Sequence, residues 1–225
     1  MLIILNRKPV KKFVTSWSGG KDSCFAMMKA MGNGFTPMVL LNMMNENGKV
    51  SRSHSIPKEI LERQADVLTL PIFTKPASWD AYEQIFIATL RELKELYQID
   101  TAIFGDIDLQ EHRDWEEKVC DATGLMAILP LWKQNRKELV LSMIESGIET
   151  YIVSCNDKMG EFFLGKKITT PLIEQLEKIG IDACGENGEY HTLVVNAPIF
   201  NNRVDVKFGM KSHNKNYWSI EMKLV

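Results

Sequence analysis

The sequence predicts an α/β fold: a parallel five-stranded sheet with helices on both faces, followed by a smaller α+β region. Three observations predict it. Short apolar runs alternate with helix-period segments across residues 12–130. Those runs are apolar almost throughout, as expected of strands covered by helices on both faces. After Pro130-Leu131-Trp132 the texture changes to a polar, glycine-containing loop and then to alternating segments that suit antiparallel strands. A boundary near residues 131–136 therefore divides the chain into an N-terminal domain, 1–132, and a C-terminal domain, 133–225.

Lys12 to Trp17 reads as the first strand and Lys21 to Met31 as the first helix, which Gly32 and Gly34 stop. Pro37 to Asn42 is a second buried strand, and Asn45-Glu46-Asn47-Gly48 a turn. Pro57 to Ala65 is a short helix with proline in its first turn. Val67 to Phe73 is the third strand. Ser78 to Tyr97 is the clearest helix: Ser78 can cap it, and Trp79, Tyr82, Ile85, Phe86, Leu90, Leu93 and Leu96 form one apolar stripe, read as core packing. Thr101 to Gly105 is the fourth strand. Leu109 to Thr123 is a helix that Gly124 ends, and Leu125 to Leu129 is the fifth strand.

Beyond the boundary, Arg136 to Glu145 reads as a helix and Thr150 to Ser154 as a short strand. A helix from Pro171 to Ile179 follows Thr170, and Asp182 to His191 is a polar loop. The last strands, VDVKFGM and YWSIEMKL, could form a hairpin or support a homodimer.

The bulk numbers exclude several classes. The formal net charge of the 225 residues is -2, without the basic excess that drives nucleic-acid binding. No apolar run reaches the roughly 18 residues of a membrane helix. The opening MLIILNRKPVKK places its apolar piece before its charges, the reverse of a secretory signal. A cytoplasmic protein is expected. The four cysteines contain no CxxC pair, which speaks for reduced, buried thiols rather than a disulfide framework or zinc ribbon. Cys120 and Cys184 could pair only if folding brings them close.

Chemistry concentrates in two stretches. The first is Ser18-Gly19-Gly20-Lys21-Asp22-Ser23, between the first strand and the first helix. Helix N-termini offer unpaired N–H groups and partial positive charge. Ser18, Gly19 and Gly20 expose backbone donors, Ser18 and Ser23 add hydroxyls, and Lys21 adds a cation, so phosphate binding follows from these properties. A Walker loop is excluded twice over, because its first glycine would fall on Thr15 and its final Ser or Thr on Asp22. The dinucleotide fingerprint also fails, since the glycines are adjacent. The rival reading is a glycine-rich turn with a capping serine. The second stretch is Cys184-Gly185-Glu186-Asn187-Gly188-Glu189-Tyr190-His191-Thr192. Its two carboxylates, histidine and threonine could bind a metal, an amine or a substrate backbone; the plainer alternative is a solvated acidic loop.

The hexapeptide S-G-G-K-D-S resembles the pyrophosphate loop of the ATP pyrophosphatase superfamily, whose members cleave ATP between its α and β phosphates. Together with G-E-x-G-E-[YF]-x-T about 165 residues later, it is similar to the diphthine–ammonia ligase family. His54, the Phe104-Gly105-Asp106-Ile107 segment, Arg113, Glu117, Cys120, Pro130-Leu131-Trp132 and Asn196-Ala197-Pro198-Ile199-Phe200 extend the likeness over nearly the whole chain. The resemblance implies an N-terminal domain of the adenine-nucleotide hydrolase type. It implies a reaction in which ATP and ammonia convert a carboxylate to an amide, AMP and pyrophosphate leaving. The family's acceptor is protein-bound diphthine, a modified histidine on translation elongation factor 2.

The resemblance also implies roles. Ser18, Gly19, Gly20 and Ser23 cradle the β,γ-phosphates, Lys21 neutralises the leaving pyrophosphate, and Asp22 helps hold Mg²⁺. Gly105 and Arg113 belong to the nucleotide site. Glu186 and Glu189 bind ammonium and accept its proton, and His191 assists. His54, Asp106, Gly185, Asn187, Gly188, Tyr190 and Thr192 surround the acceptor, although His54 also reads as a satisfied loop histidine. Three positions depart from the usual G-E-G-G-E-[YF]-E-T ligases: Asn187 replaces a glycine, His191 a glutamate, and Asp106 stands where a small residue is common. The variant looks like bacterial members, which points to another carboxylate on a small molecule, such as a corrinoid acid. Leu2 excludes an N-terminal catalytic cysteine, and an attached glutaminase would need about a domain of extra chain; ammonia is expected free or from a separate partner. Two rivals stay open at this point, a tRNA-modifying sulfur transferase with the same loop and a non-catalytic nucleotide sensor. His112-Arg113-Asp114 mimics a kinase tripeptide, but Val119 stands where its asparagine should be.

Overall fold

The computed structural model describes residues 11–225; the readings of the opening MLIILNRKPV and of Leu2 lie outside them. Five parallel strands, β1 (Lys12–Ser16), β2 (Thr36–Met44), β3 (Ile72–Pro76), β4 (Thr101–Ile103) and β5 (Met126–Ile128), form one sheet in the order β3-β2-β1-β4-β5. The helices between them are α1 (Lys21–Gly32), α2 (Lys58–Leu68), α3 (Tyr82–Tyr97) and α4 (Gln110–Asp121). Successive strand residues feed opposite faces. Phe13, Leu40 and Ile103 pack with Phe25, Met27, Ile60 and Leu61 of α1 and α2. Val14, Leu41 and Ala102 pack with Phe86, Leu90 and Val119 of α3 and α4. The near-continuous apolar strands are thus explained by two covered faces. Strand order reverses between β1 and β4, which is where an open parallel sheet leaves a crevice for ligands.

The C-terminal part consists of α5 (Arg136–Glu145), β6 (Glu149–Asn156), a 3-10 turn at Glu161–Phe163, α6 (Thr170–Lys178), β7 (Tyr190–Asn196), β8 (Val206–Asn214) and β9 (Tyr217–Leu224). Its strands form an antiparallel sheet in the order β7-β6-β9-β8. Val153, Leu193 and Val194 of this sheet share one core cluster with Phe13 and Trp17 of the first. The two sheets are therefore cemented by a continuous apolar core.

Several sequence expectations need correction. The third strand does not begin at Val67. There α2 runs on to Leu68, because Ile60, Leu61, Gln64, Ala65 and Val67 keep one buried helical face, and β3 starts only at Ile72. Nor does α3 begin at Ser78: the Ser78 hydroxyl accepts from the Ala81 N–H and caps a turn that precedes the helix. Trp79 therefore lies ahead of the helix, 70% exposed, and Leu96, within it, faces outward at 60% exposed. The last two strands pair with each other as a hairpin. All four cysteines are free and buried, and Cys120 and Cys184 lie in different core clusters.

Candidate active site

The turn from β1 into α1 is built from both halves of the chain. Gly19 has φ +84°, where an L side chain is strained, and a β-carbon there would stand 2.8 Å from Ile56. Behind it, buried Gln64 donates to the carbonyls of Gly19 (3.0 Å) and Val194 (2.7 Å) and accepts from the Trp17 indole (2.9 Å). The Val194 N–H donates to Gly19 O. The N–H of Lys21 donates 3.1 Å to the Thr192 hydroxyl, and that of Gly20 donates 3.2 Å to the Ser18 hydroxyl. These donors are thus gathered by neutral hydroxyls, weaker acceptors than a phosphate oxygen. Gly20 caps α1 without a side chain, leaving its positive end open to an anion. Gly105, at the end of β4, lies so close that a β-carbon would meet the Ser23 N at 2.8 Å. That contact explains why glycine faces the loop from the neighbouring strand.

The loop opens into a cavity of about 640 Å³, walled on its other sides by the 184–192 stretch, His54, Asp106 and His112. Ser18, Lys21, Asp22, Ser23, His54, Gly105, Asp106, Gly185, Glu186, Asn187, Gly188, Tyr190, His191 and Thr192 all line it. Of the remaining residues named from sequence, Gly19 and Gly20 shape the loop from behind. Glu189 is turned away, its carboxylate accepting from the backbone (3.0 Å) and side-chain (3.1 Å) N–H groups of Asn187. Arg113 is held by Glu117 at 2.7 Å, with its guanidinium 5.0 Å from the centre of the Trp132 ring.

The electrostatics divide the groups by task. Lys21 is 2% exposed and donates to Cys184 O (2.6 Å) and Asp22 Oδ2 (2.8 Å). Burial, the largest single influence, opposes its charge, but Asp22 together with Tyr190 and Cys184 outweighs it and holds Lys21 above the ordinary lysine value. The other Asp22 oxygen, Oδ1, is buried without a hydrogen-bond partner. No cluster of three metal-ligating side chains exists among the described residues. One orphaned carboxylate oxygen beside a phosphate loop nevertheless suits magnesium, which binds by one or two carboxylates plus substrate phosphates.

Glu186 accepts from the Ile107 N–H at 3.1 Å. Burial, then Asp22 and Asp106, push its carboxyl up to about 7. His54 donates from Nδ1 to Thr192 O at 2.8 Å, which fixes its tautomer and leaves Nε2 an acceptor. Its ring lies 4.8 Å from that of His191. Burial lowers both, His191 to about 3 with help from His54 and Lys21, so both rings are neutral near pH 7. Burial pushes the Cys184 thiol up to about 12, which leaves it an inert donor to Arg136 O.

Arg136, Asp182 and Gln64 were not singled out by sequence reasoning. Arg136 grips Asp108 with two bonds (2.6 and 2.8 Å) and reaches Asp182 Oδ2 (3.1 Å), which in turn accepts from the Glu186 N–H (2.8 Å). A signal existed: arginine in the first turn of a helix opposes the macrodipole, so it is there for another reason. Arg136→Ala should speed amide exchange at Glu186 and Asn187 by about tenfold, the worth of one charge-assisted bond. Unchanged exchange there would show that the clasp does not order the loop.

The N-terminal domain of diphthamide synthase matches residues 11–127, and its C-terminal domain matches residues 135–224. Diphthine–ammonia ligases of Rattus norvegicus and Homo sapiens are 26% identical over 84% of this chain and 80% of their own length. The Schizosaccharomyces pombe ligase is 26% identical over 83% of this chain and 34% of its own. A solved chain described as a predicted subunit of tRNA methyltransferase from Methanocaldococcus jannaschii aligns with TM-score 0.46 and 15% identity, covering 83% of this chain and 98% of that one.

Proposed function

This chain belongs to the diphthamide synthase family, and on that premise we propose that it is an ATP-dependent, AMP-forming ligase that joins ammonia to a carboxylate. One observation carries the proposal: the N-terminal end of α1, with buried Lys21 paired to half-buried Asp22, shares one cavity with Glu186, a carboxyl pushed up to about 7.

The loop N–H groups of residues 18–21 and the Ser23 hydroxyl hold the β,γ-phosphates of ATP. Lys21 carries positive charge against the leaving pyrophosphate. Asp22 Oδ1 would hold magnesium, which when bound supplies charge neutralisation on the phosphate oxygens. An oxygen of the acceptor carboxylate bonds to the α-phosphorus as the bond to pyrophosphate breaks, giving an acyl-adenylate. Ammonia then adds to the acyl carbon, AMP leaves, and Glu186 takes the proton from nitrogen. His54 and His191, neutral and without charge to trap the anhydride, line the acceptor side. Glu189 acts through Asn187, whose carbonyl also accepts from Arg136 (3.3 Å).

The acceptor side differs from the usual ligase pattern at Asp106, Asn187 and His191, all on the cavity wall, which favours an acceptor other than diphthine. No helix of the described residues is long and apolar enough to cross a membrane. Four free thiols suit a reducing cytoplasm.

The test is pyrophosphate release from ATP with ammonium and a panel of carboxylates, diphthine-bearing elongation factor and corrinoid acids among them. Release stimulated jointly by ammonium and one acceptor is expected. ATP turnover indifferent to ammonium with every acceptor would sink the ligase reading.

A further inference from the structure

Three backbone donors of the phosphate loop already have acceptors, and one of those acceptors differs from the others. The Ser18 N–H donates to the Ser23 hydroxyl (3.3 Å), and the Gly20 N–H to the Ser18 hydroxyl (3.2 Å). Both serines belong to the loop and travel with it. The Lys21 N–H donates instead to the Thr192 hydroxyl (3.1 Å), which arrives on β7 from the other half of the chain, 171 residues away. Lys21 is the first residue of α1, so its N–H has no partner inside the helix. It is also one of the donors that a phosphate at this helix end needs.

Thr192 is 1% exposed and lines the reaction cavity. Its backbone is pinned. The Thr192 carbonyl accepts from His54 Nδ1 (2.8 Å), and two residues further on the Val194 N–H donates to Gly19 O (2.9 Å) while Gln64 donates to Val194 O (2.7 Å). With the strand held in this way, the side chain is the part of Thr192 that can turn. Its O–H meets no acceptor among the described residues, so the Lys21 N–H makes the one hydrogen bond that holds the hydroxyl in its present rotamer. A phosphate oxygen competes for that N–H on favourable terms, because a charged acceptor makes a bond roughly twice as strong as a neutral one.

We propose that Thr192 is a stand-in for phosphate: its hydroxyl caps α1 until a phosphate oxygen takes the Lys21 N–H, and the side chain then turns to a second rotamer within the cavity. The stand-in lowers the affinity of the loop, since an incoming phosphate has to replace a bond already made. It also links the two halves of the chain, because a residue of the cavity wall changes state when the loop fills. That the phosphate belongs to ATP, and that the released hydroxyl then meets the acceptor, rests on the ligase reading. The exchange of caps needs only a phosphate in the loop.

The probe is magnesium pyrophosphate, titrated calorimetrically into the full chain, with α,β-methylene-ATP as a second titrant. Thr192→Val keeps the shape of the side chain but leaves the Lys21 N–H without an acceptor until phosphate arrives. Binding about tenfold tighter than in wild type is expected, within the worth of an unpaired buried donor. Thr192→Ser, which keeps the hydroxyl, should bind as wild type does. Equal binding in Thr192→Val would overturn the proposal. Weaker binding would overturn it too, by making the hydroxyl a standing ligand of the phosphate. Failure of wild type to bind either titrant would remove phosphate from the loop and the proposal with it. Wild type also gives a reading that needs no variant. The carbon shift of the Thr192 Cγ2 methyl follows its χ1 rotamer and should move as pyrophosphate is added; a shift that stays at its starting value would overturn the proposal whether or not Thr192→Val folds. None of these readings needs turnover. A wrong ligase reading would appear separately, as missing pyrophosphate release with the Thr192 effects retained.

Discussion

Lys21→Met is expected to lower ATP turnover by about 10²- to 10³-fold while the protein stays folded, since removing one preorganised charge at a developing anion costs that much. The ammonium group is already desolvated and aimed by Cys184 O and Asp22, so no reorganisation is needed when pyrophosphate leaves. Methionine keeps most of the length of the stem among buried neighbours. Lys21→Ala should show the same loss together with lower stability, because it also opens a void beneath Tyr190, whose ring lies 5.2 Å from the ammonium. Both variants leave the Asp22 carboxylate unpaired, and that penalty falls on the folded state. Thermal unfolding separates the two effects from turnover. A folded Lys21→Met protein with wild-type pyrophosphate release would remove Lys21 from the reaction.

What was legible in the sequence was whatever is chemically local. The loop of residues 18–23 and the stretch 184–192 each carry their chemistry in consecutive residues, and the fold needed only to bring them together. Thr192 does so directly, receiving the N–H that opens α1. What was not legible depends on distant partners. Nothing near Glu189 announces that Asn187 will capture it, and Arg136 acquires meaning only beside Asp108 and Asp182. The end of α2 was misplaced because Val67 is apolar in either a helix or a strand, and only its neighbours at helical spacing decide. Trp79 was counted as core because it falls at helical spacing from Tyr82 and Phe86, but α3 begins only at Tyr82 and leaves it exposed.

Glu186→Gln carries the second large expectation, a loss of about 10²- to 10⁴-fold in amide formation, the usual worth of a positioned base. Its signature is in the pH profile. A base must be unprotonated, so wild-type kcat/KM should rise with pH through about 7, the value to which burial, Asp22 and Asp106 push this carboxyl. Bound ATP adds negative charge beside it, so the same limb in kcat should lie at higher pH, because kcat reports the complex rather than the free protein. In the glutamine variant both limbs should vanish. Stability moves the other way. The folded-state pKa lies above the ordinary 4.5, so the folded chain binds more protons than the unfolded one between those values, and wild type loses stability as pH rises from 4.5 to 7. Glutamine titrates nowhere and keeps the length of the side chain, so the variant should be no less stable than wild type at pH 8 and should lack that loss. A Glu186→Gln enzyme that retains the acidic limb would place the base elsewhere in the cavity. His54 would be the next group to replace, since its Nε2 is free to accept and it lies beside His191 on the same wall.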